Sequence, residues 1–135
     1  MTLARGPRKL LGQCAIDARK RWNRTGIVLE AGKRYDFEAA GGESWRDGNI
    51  VCGADGYECD RLRLFARLRR VPFARWLALI GALGSDGATL FPIGRAMENY
   101  IPLRSGELYC FANDVWFMYW NNAGSVELTV YERHA

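Results

Sequence analysis

The feature that most constrains this fold is a succession of short apolar segments, each broken after a few residues by Gly, Asn, Asp or Pro. Residues 35–39 are typical, because three apolar side chains alternate there with two acidic ones, which predicts a half-buried strand. Residues 125–131 alternate in the same way. The other candidate strands are 13–18, 27–29, 76–80, 89–93, 100–103 and 107–112.

About eight short strands with turn residues at regular spacing predict an all-β protein. We expect an antiparallel β-sandwich, specifically a jelly roll, and a small open barrel of the OB type is the alternative. Residues 40–57 contain five glycines and are expected to form a long irregular loop. A short amphipathic helix is expected over 61–70, because Leu62, Phe65 and Leu68 lie three apart with arginines between them.

The length of 135 residues corresponds to one domain, and a hydrophobic content of 49% excludes intrinsic disorder. We expect a basic N-terminal arm over 1–12 and a single β-sandwich domain over 13–135. The longest apolar run, 76–84, is too short to span a membrane. Residues 1–12 lack the apolar core of a signal peptide, which predicts a cytoplasmic protein, with non-classical export as the alternative.

The four cysteines are expected to be reduced thiols that behave as small hydrophobic residues. If the protein is exported, the alternative is that Cys52 and Cys59 form a disulfide. A zinc site is disfavoured, because the chain has no C-x2-C pair and its one histidine, His134, stands next to the C-terminus.

Positive charge is concentrated in the first part of the chain. Residues 1–75 carry 16 Lys and Arg against 9 Asp and Glu, whereas residues 76–135 carry 3 against 6. Nucleic acid could bind two basic segments, Arg19-Lys20-Arg21-x-x-Arg24 and the arginines of 61–75, with their interleaved aromatic residues Trp22, Phe65 and Phe73. We favour a solvated face whose arginine stems cover apolar surface, and nucleic acid is the less favoured partner.

No catalytic motif is recognisable in the chain. It has no G-x-S-x-G elbow, no P-loop and no Cys–His pair. Asp47 and Asp55 in the glycine-rich segment and Asp60 just after it are the acids that could serve as acid and base, but acidic residues are ordinary in surface loops. We therefore predict a protein that is not an enzyme.

The most informative polar residues stand at one end of two predicted strands. Asp114 follows strand 107–112, and Asn121 and Asn122 precede strand 125–131. One carboxylate and two amide oxygens at this end are ligands of the kind that Ca²⁺ prefers, although a single carboxylate makes a weak site. In the alternative interpretation these are turn residues and Asp114 caps the turn.

Several motifs along residues 13–131 resemble the calcium-dependent, galactose-binding bacterial lectins of the PA-I type. They are Ile27-Val28-Leu29-x-x-Gly32, Ala39-Ala40-Gly41, Gly53-x-Asp55-Gly56, Leu79-Ile80-Gly81, Phe91-x-Ile93-Gly94, Gly106-Glu107-Leu108-Tyr109, Asn113-Asp114 and Asn121-Asn122-x-Gly-Ser. The resemblance implies a galactose-binding-domain-like jelly roll and no catalysis.

The resemblance also implies a ligand set for calcium. Asp114, Asn121 and Asn122 would ligate through their side chains, and Trp45 and Met118 through their backbone carbonyls. Two sugar hydroxyls would complete the calcium shell in such lectins. The chain departs from the family between residues 57 and 70, where the His and Gln that touch the sugar have no clear match.

The aromatic segment 115–120 permits three roles. Trp116, Tyr119 and Trp120 could stack on a sugar ring, form an exposed patch that closes a homo-oligomer, or belong to the core. Trp120 stands where the family has a small residue. Our first hypothesis is therefore a calcium-assisted carbohydrate-binding protein for a galactose-like sugar. The alternative is a protein-interaction or oligomerisation module with a degenerate metal site.

Overall fold

The computed structural model describes residues 7–134, which form ten strands and two short 3-10 helices. The strands are β1 Arg8–Asp17, β2 Asn23–Leu29, β3 Arg34–Ala40, β4 Trp45–Asp47, β5 Ile50–Cys52, β6 Leu79–Leu83, β7 Leu90–Pro92, β8 Ala96–Tyr100, β9 Gly106–Ala112 and β10 Asn122–Arg133. The 3-10 helices are Asp60–Leu68 and Tyr119–Asn121.

The strands form two antiparallel sheets. The first sheet has the order β5-β4-β10-β3-β8, with β1 paired to β10 outside this path. The second has the order β2-β9-β6-β7. The predicted all-β antiparallel sandwich is therefore confirmed, and the OB-type barrel is wrong.

Strand β10 holds the first sheet together. Its first three residues pair with β4, and its later residues pair with β1 and β3. Val126, Leu128 and Val130 alternate with more exposed residues and are buried, as the sequence pattern predicts. The site described below lies where this strand begins.

The main core lies between the two sheets. Phe37, Leu128 and Val130 from the first sheet pack in one cluster with Leu79 and Leu108 from the second. A second cluster forms around Phe111 and Ile80, which face away from this core and are covered by residues of the 71–78 segment. This cover explains why both faces of strand β9 are apolar in the sequence.

Asp36 joins four strands of the first sheet. Its buried carboxylate accepts hydrogen bonds from Arg133 Nε at 2.9 Å, Arg8 Nη1 at 3.2 Å and the Asn99 backbone N–H at 3.0 Å. Burial by itself would raise the pKa of Asp36, but these hydrogen bonds outweigh it and the pKa is lowered. The contact fixes Arg8 within the sheet.

The predicted basic arm over 1–12 needs correction. Strand β1 begins at Arg8 and pairs with β10 from Arg8↔Arg133 onward, so the second half of that arm belongs to the sandwich. Residues 1–6 lie outside the described residues. Backbone hydrogen bonding to β10 is a long-range contact that local composition does not report.

Three further predictions were wrong in detail. The predicted loop 40–57 contains β4 and β5, and the strand placed at 100–103 ends at Tyr100 as part of β8. The strand placed at 76–80 begins only at Leu79, because Leu77 has a positive φ of 56°, which interrupts extended backbone. The helix at 61–70 is present as the 3-10 helix Asp60–Leu68.

Within residues 7–134, no helix has the length and apolar character needed to cross a membrane.

Candidate functional site

Three parts of the chain bring four oxygen-bearing side chains to one end of the sandwich. Asp114 follows β9, Asn121 ends the second 3-10 helix and Asn122 begins β10. Asp47, the last residue of β4, is the register partner of Asn122. We call Asp47, Asp114, Asn121 and Asn122 the cation site, because they are the candidate ligands for a bound cation. The structure thus brings together the three predicted side-chain ligands and adds Asp47.

The carboxylate of Asp114 is buried and only 2% exposed. Its Oδ1 accepts a hydrogen bond from the Val115 backbone N–H at 2.7 Å, and its Oδ2 accepts one from Asn122 Nδ2 at 3.0 Å. Burial, opposed by these hydrogen bonds but reinforced by the nearby charge of Asp47, raises the pKa of Asp114 to about 6. A cation at this position would lower that pKa by stabilising the carboxylate.

The two asparagines present carbonyl oxygens that lack hydrogen-bond donors. Asn122 is 2% exposed, and its Nδ2 donates both to Asp114 and to the Ala18 backbone carbonyl, at 3.0 and 3.1 Å. These two bonds fix the orientation of the amide. Among the described residues 7–134, no donor reaches the buried Oδ1 of Asn122 or that of Asn121. A buried acceptor without a partner is costly and suggests a ligand.

Asp47 is oriented by Tyr57. The Tyr57 hydroxyl donates a hydrogen bond to Asp47 Oδ2 at 2.6 Å, and burial together with this carboxylate raises the pKa of Tyr57. The phenol therefore stays protonated and keeps donating. From the sequence, Asp47 is expected only as an acidic loop residue and not as a cation ligand. Its pairing with Asn122 joins residues 75 positions apart, which local sequence does not indicate.

The oxygen atoms of the cation site are suitable ligands for a hard divalent cation such as Ca²⁺. Carboxylate and amide oxygens are its preferred ligands, and a cation would give the two unsatisfied Oδ1 atoms a partner. No group of three or more His, Cys, Asp or Glu side chains that could hold a metal occurs in the described part of the chain. The amide oxygens are therefore needed to complete any such site.

A largely apolar cavity of about 380 Å³ opens beside the cation site. Asp47, Asp114 and Asn121 line its polar end. The rest of its wall comes from Leu62, Phe65, Leu68, Trp76, Val115, Phe117 and Met118. The site thus joins a polar corner to an apolar wall.

The two residues predicted to ligate through backbone carbonyls, Met118 and Trp45, lie in different parts of the fold. Met118 lines the cavity with Asp114 and Asn121. Trp45 lies in β4, two residues before Asp47, with its ring buried and its indole N–H donated to the Gly53 carbonyl at 2.9 Å. Each of the two residues stands two or three positions before a member of the cation site, Trp45 before Asp47 and Met118 before Asn121.

The predicted sugar-stacking tryptophans do not line this cavity, whose aromatic wall from the same segment is Phe117. Trp116 packs against Trp22 and the Arg70 guanidinium, and its carbonyl accepts a hydrogen bond from Arg21. Trp120 is exposed to solvent. Of the three aromatic residues considered for the core, only Tyr119 is buried, and Val115 of the same segment is buried as well.

Two arginines of the expected basic surface are structural. Arg69 is buried and donates to the carbonyls of Ala66 and Pro72 at 2.9 and 2.7 Å. Arg70 lies 3.4 Å from the ring centroid of Phe111 and donates to the Tyr119 hydroxyl at 2.9 Å. These guanidinium groups are committed to internal contacts, which weakens the nucleic-acid interpretation.

All four cysteines are free thiols, with Cys52 and Cys110 buried. Burial raises the pKa of Cys52 to about 11, which keeps it protonated.

The chain is similar in structure to a protein described as an EclA N-terminal domain and PllA-like lectin. The two are 22% identical, the match covers 92% of this chain and 98% of that one, and the TM-score is 0.70. No protein-family model matches the chain, and neither does any curated protein. The structural likeness shows a shared fold: a lectin-like antiparallel β-sandwich.

Proposed function

We propose that this protein is a non-catalytic carbohydrate-binding protein that binds sugar hydroxyls with the help of Ca²⁺ held at the cation site. The observation that carries the proposal is the pair of buried asparagine oxygens without donors beside the buried Asp114 carboxylate. The lectin-like fold of the structural neighbour supports the same conclusion. A galactose-like sugar is the ligand class that the sequence motifs suggest.

The residues of the cation site have separate tasks in this proposal. Asp114 and Asp47 supply negative charge, and Asn121 and Asn122 supply neutral carbonyl oxygens. The backbone carbonyls of Trp45 and Met118 complete the protein's donor set. The bound ion would attract a pair of adjacent sugar hydroxyls, and these hydroxyls would donate hydrogen bonds to oxygens of Asp114 and the asparagines.

The proposal includes no chemical step. Both Asp114 oxygens already accept hydrogen bonds from Val115 and Asn122, and Tyr57 holds one oxygen of Asp47. A carboxylate fixed in this way is suited to binding a cation. Specificity would come from matching sugar hydroxyls to these fixed acceptors.

Affinity chromatography on immobilised galactose tests the proposal. The protein should be retained in millimolar Ca²⁺ and released by EDTA. Asp114→Asn keeps the shape of the side chain but removes its charge, and should abolish retention. Glu127→Gln makes the same change at an exposed position of β10 and should be retained like the unmodified protein.

Two results would contradict the proposal. Retention that survives EDTA and Asp114→Asn would exclude the calcium-dependent site. The second result is that the folded protein, in Ca²⁺, binds none of immobilised galactose, fucose and mannose. It would exclude the proposed carbohydrate binding.

A further inference from the structure

The 3-10 helix Asp60–Leu68 packs against the main core through the partly buried Leu62 and exposes its other large apolar side chains. None of its residues is buried, and Phe65 and Leu68 are 53% and 52% exposed. Phe117, in the neighbouring 115–118 segment, is 66% exposed and borders the same cavity. We call Phe65, Leu68 and Phe117 the apolar rim. Contiguous exposed apolar surface of this kind marks an interaction site.

The geometry of the helix places arginines beside this rim. A 3-10 helix has about 3 residues per turn, so Leu62, Phe65 and Leu68 form one row. Arg61 and Arg67 lie on the adjacent row with Leu64, and Arg63 lies on the third. All three arginines are exposed, and no carboxylate among residues 7–134 forms an ion pair with them. We call Arg61, Arg63 and Arg67 the arginine flank.

The helix is held firmly enough to present these side chains. The buried Arg69 guanidinium closes its C-terminal end through the carbonyls of Ala66 and Pro72. Arg69 also forms a β-bridge with Val115, and the Arg70 backbone N–H donates to the Asp114 carbonyl at 3.0 Å. The helix and the 115–118 segment are thus fastened side by side.

We propose that the apolar rim and the arginine flank form a docking surface for an anionic lipid bilayer. Phe65, Leu68 and Phe117 would enter the boundary between headgroups and acyl chains. The arginine flank would pair with lipid phosphate and carboxylate groups. This surface goes beyond the proposed function, because it requires neither Ca²⁺ nor sugar.

Charge favours a bilayer over a second copy of the chain as the occupant. A symmetric dimer through this face would bring the unpaired arginine flanks of both copies together, and like charges oppose such pairing. A bilayer containing anionic lipid satisfies both features at once, since it offers an apolar interior and negative headgroups.

Vesicle co-sedimentation in EDTA, without any glycolipid, tests this inference. The unmodified protein should sediment with phosphatidylcholine vesicles containing about 30% phosphatidylserine, and not with pure phosphatidylcholine. Phe65→Ser with Phe117→Ser should lower the partition coefficient about tenfold. Arg61→Gln with Arg67→Gln should lower it to a similar extent.

Matched controls come from the opposite end of the molecule. Leu103→Ser removes a fully exposed apolar side chain before β9, whereas the docking surface lies near the end of that strand. Lys9→Gln with Arg34→Gln removes two exposed charges of the first sheet. Both controls should partition like the unmodified protein.

Four outcomes would overturn the inference. The first is absence of binding to the anionic vesicles. The second is equal loss in the controls. The third is a rim variant that converts a dimer to a monomer in analytical ultracentrifugation, which would assign the face to a second copy. The fourth is retained binding after the two phenylalanine changes, which would leave only unspecific attraction between charges. Because sugar and Ca²⁺ are absent, each outcome is independent of the proposed function.

Discussion

At the scale of single residues, three asparagines in one short stretch serve different purposes. Asn113 is fully buried, and its Oδ1 accepts the Val71 N–H at 2.9 Å while its Nδ2 donates to the carbonyls of Val71, Ala74 and Arg75. The side chain of Asn122 donates two hydrogen bonds through Nδ2. The Oδ1 atoms of Asn121 and Asn122 accept none from residues 7–134. Asn113 therefore stabilises the structure, whereas Asn121 and Asn122 each keep a buried Oδ1 without a hydrogen-bond donor among the described residues.

This division predicts the effect of removing Asn113. Asn113→Ala leaves buried backbone groups of the 71–75 segment unpaired, and should lower the free energy of unfolding by about 3 kcal/mol. Gln13→Ala removes an exposed amide that donates only to Thr129, and should cost less than about 1 kcal/mol. Urea denaturation measures both. Similar losses in the two variants would contradict the structural role of Asn113.

At the scale of elements, the cation site depends on how closely β4 approaches the start of β10. Gly124 has a φ of 87° and pairs with Trp45. A Cβ at Gly124 would overlap the Ser44 carbonyl oxygen. Glycine is therefore required at this point, and the close approach sets Asp47 opposite Asn122.

Gly124→Ala should push the two strands apart. We expect a loss of about 2–3 kcal/mol in the free energy of unfolding, together with a weaker stabilisation by Ca²⁺. Gly87→Ala is the matched control, because Gly87 also has a positive φ, of 74°, but has open space around it. It should cost about 1 kcal/mol and leave the calcium response unchanged. Calorimetry with and without Ca²⁺ measures both effects, and equal behaviour of the two variants would refute the argument.

The elements also show what the sequence could predict. Alternation identified β3, β9 and β10, because their inward faces are apolar at every second residue. Strands β4 and β5 are three residues long, which is too short for alternation to identify them. They pair with each other, and β4 also pairs with β10, which lies far along the chain. The three-residue spacing in 61–70 predicted a helix but suited 3-10 and α geometry alike. The place of Asp47 in the cation site could not be predicted either, because it depends on the pairing of β4 with the distant strand β10.

At the scale of the whole molecule, the basic half of the sequence is divided between internal and external roles. Arg8, Arg69 and Arg70 are committed to a buried carboxylate, to carbonyls and to aromatic rings. Arg61, Arg63 and Arg67 remain on the surface next to the apolar rim. Composition predicted the excess of charge, but only the packing of each side chain decides which arginines stay available to a partner.

The cation site and the apolar rim lie at the same end of the sandwich, because both border one cavity. Their two ligands, sugar and lipid, would therefore be met from the same side. The sequence motifs named Asp114, Asn121 and Asn122, and these side chains lie close together in the structure. That they bind a cation stays a prediction. The motifs gave no indication of the apolar wall, part of which (Leu62, Phe65 and Leu68) comes from the segment 57–70, where the chain departs from the lectin pattern.

Thermal unfolding in excess Ca²⁺ and in EDTA tests most directly the claim that the cation site binds Ca²⁺. An ion that binds only the folded state raises the midpoint by mass action. With Ca²⁺ at about 100 times its dissociation constant, we predict a rise of about 5 °C or more for the unmodified protein. Asn121→Ala should show no rise, since it removes one unsatisfied carbonyl oxygen without touching the bonds of Asn122. Identical midpoints for the unmodified protein in EDTA and in tens of millimolar Ca²⁺ would contradict the claim.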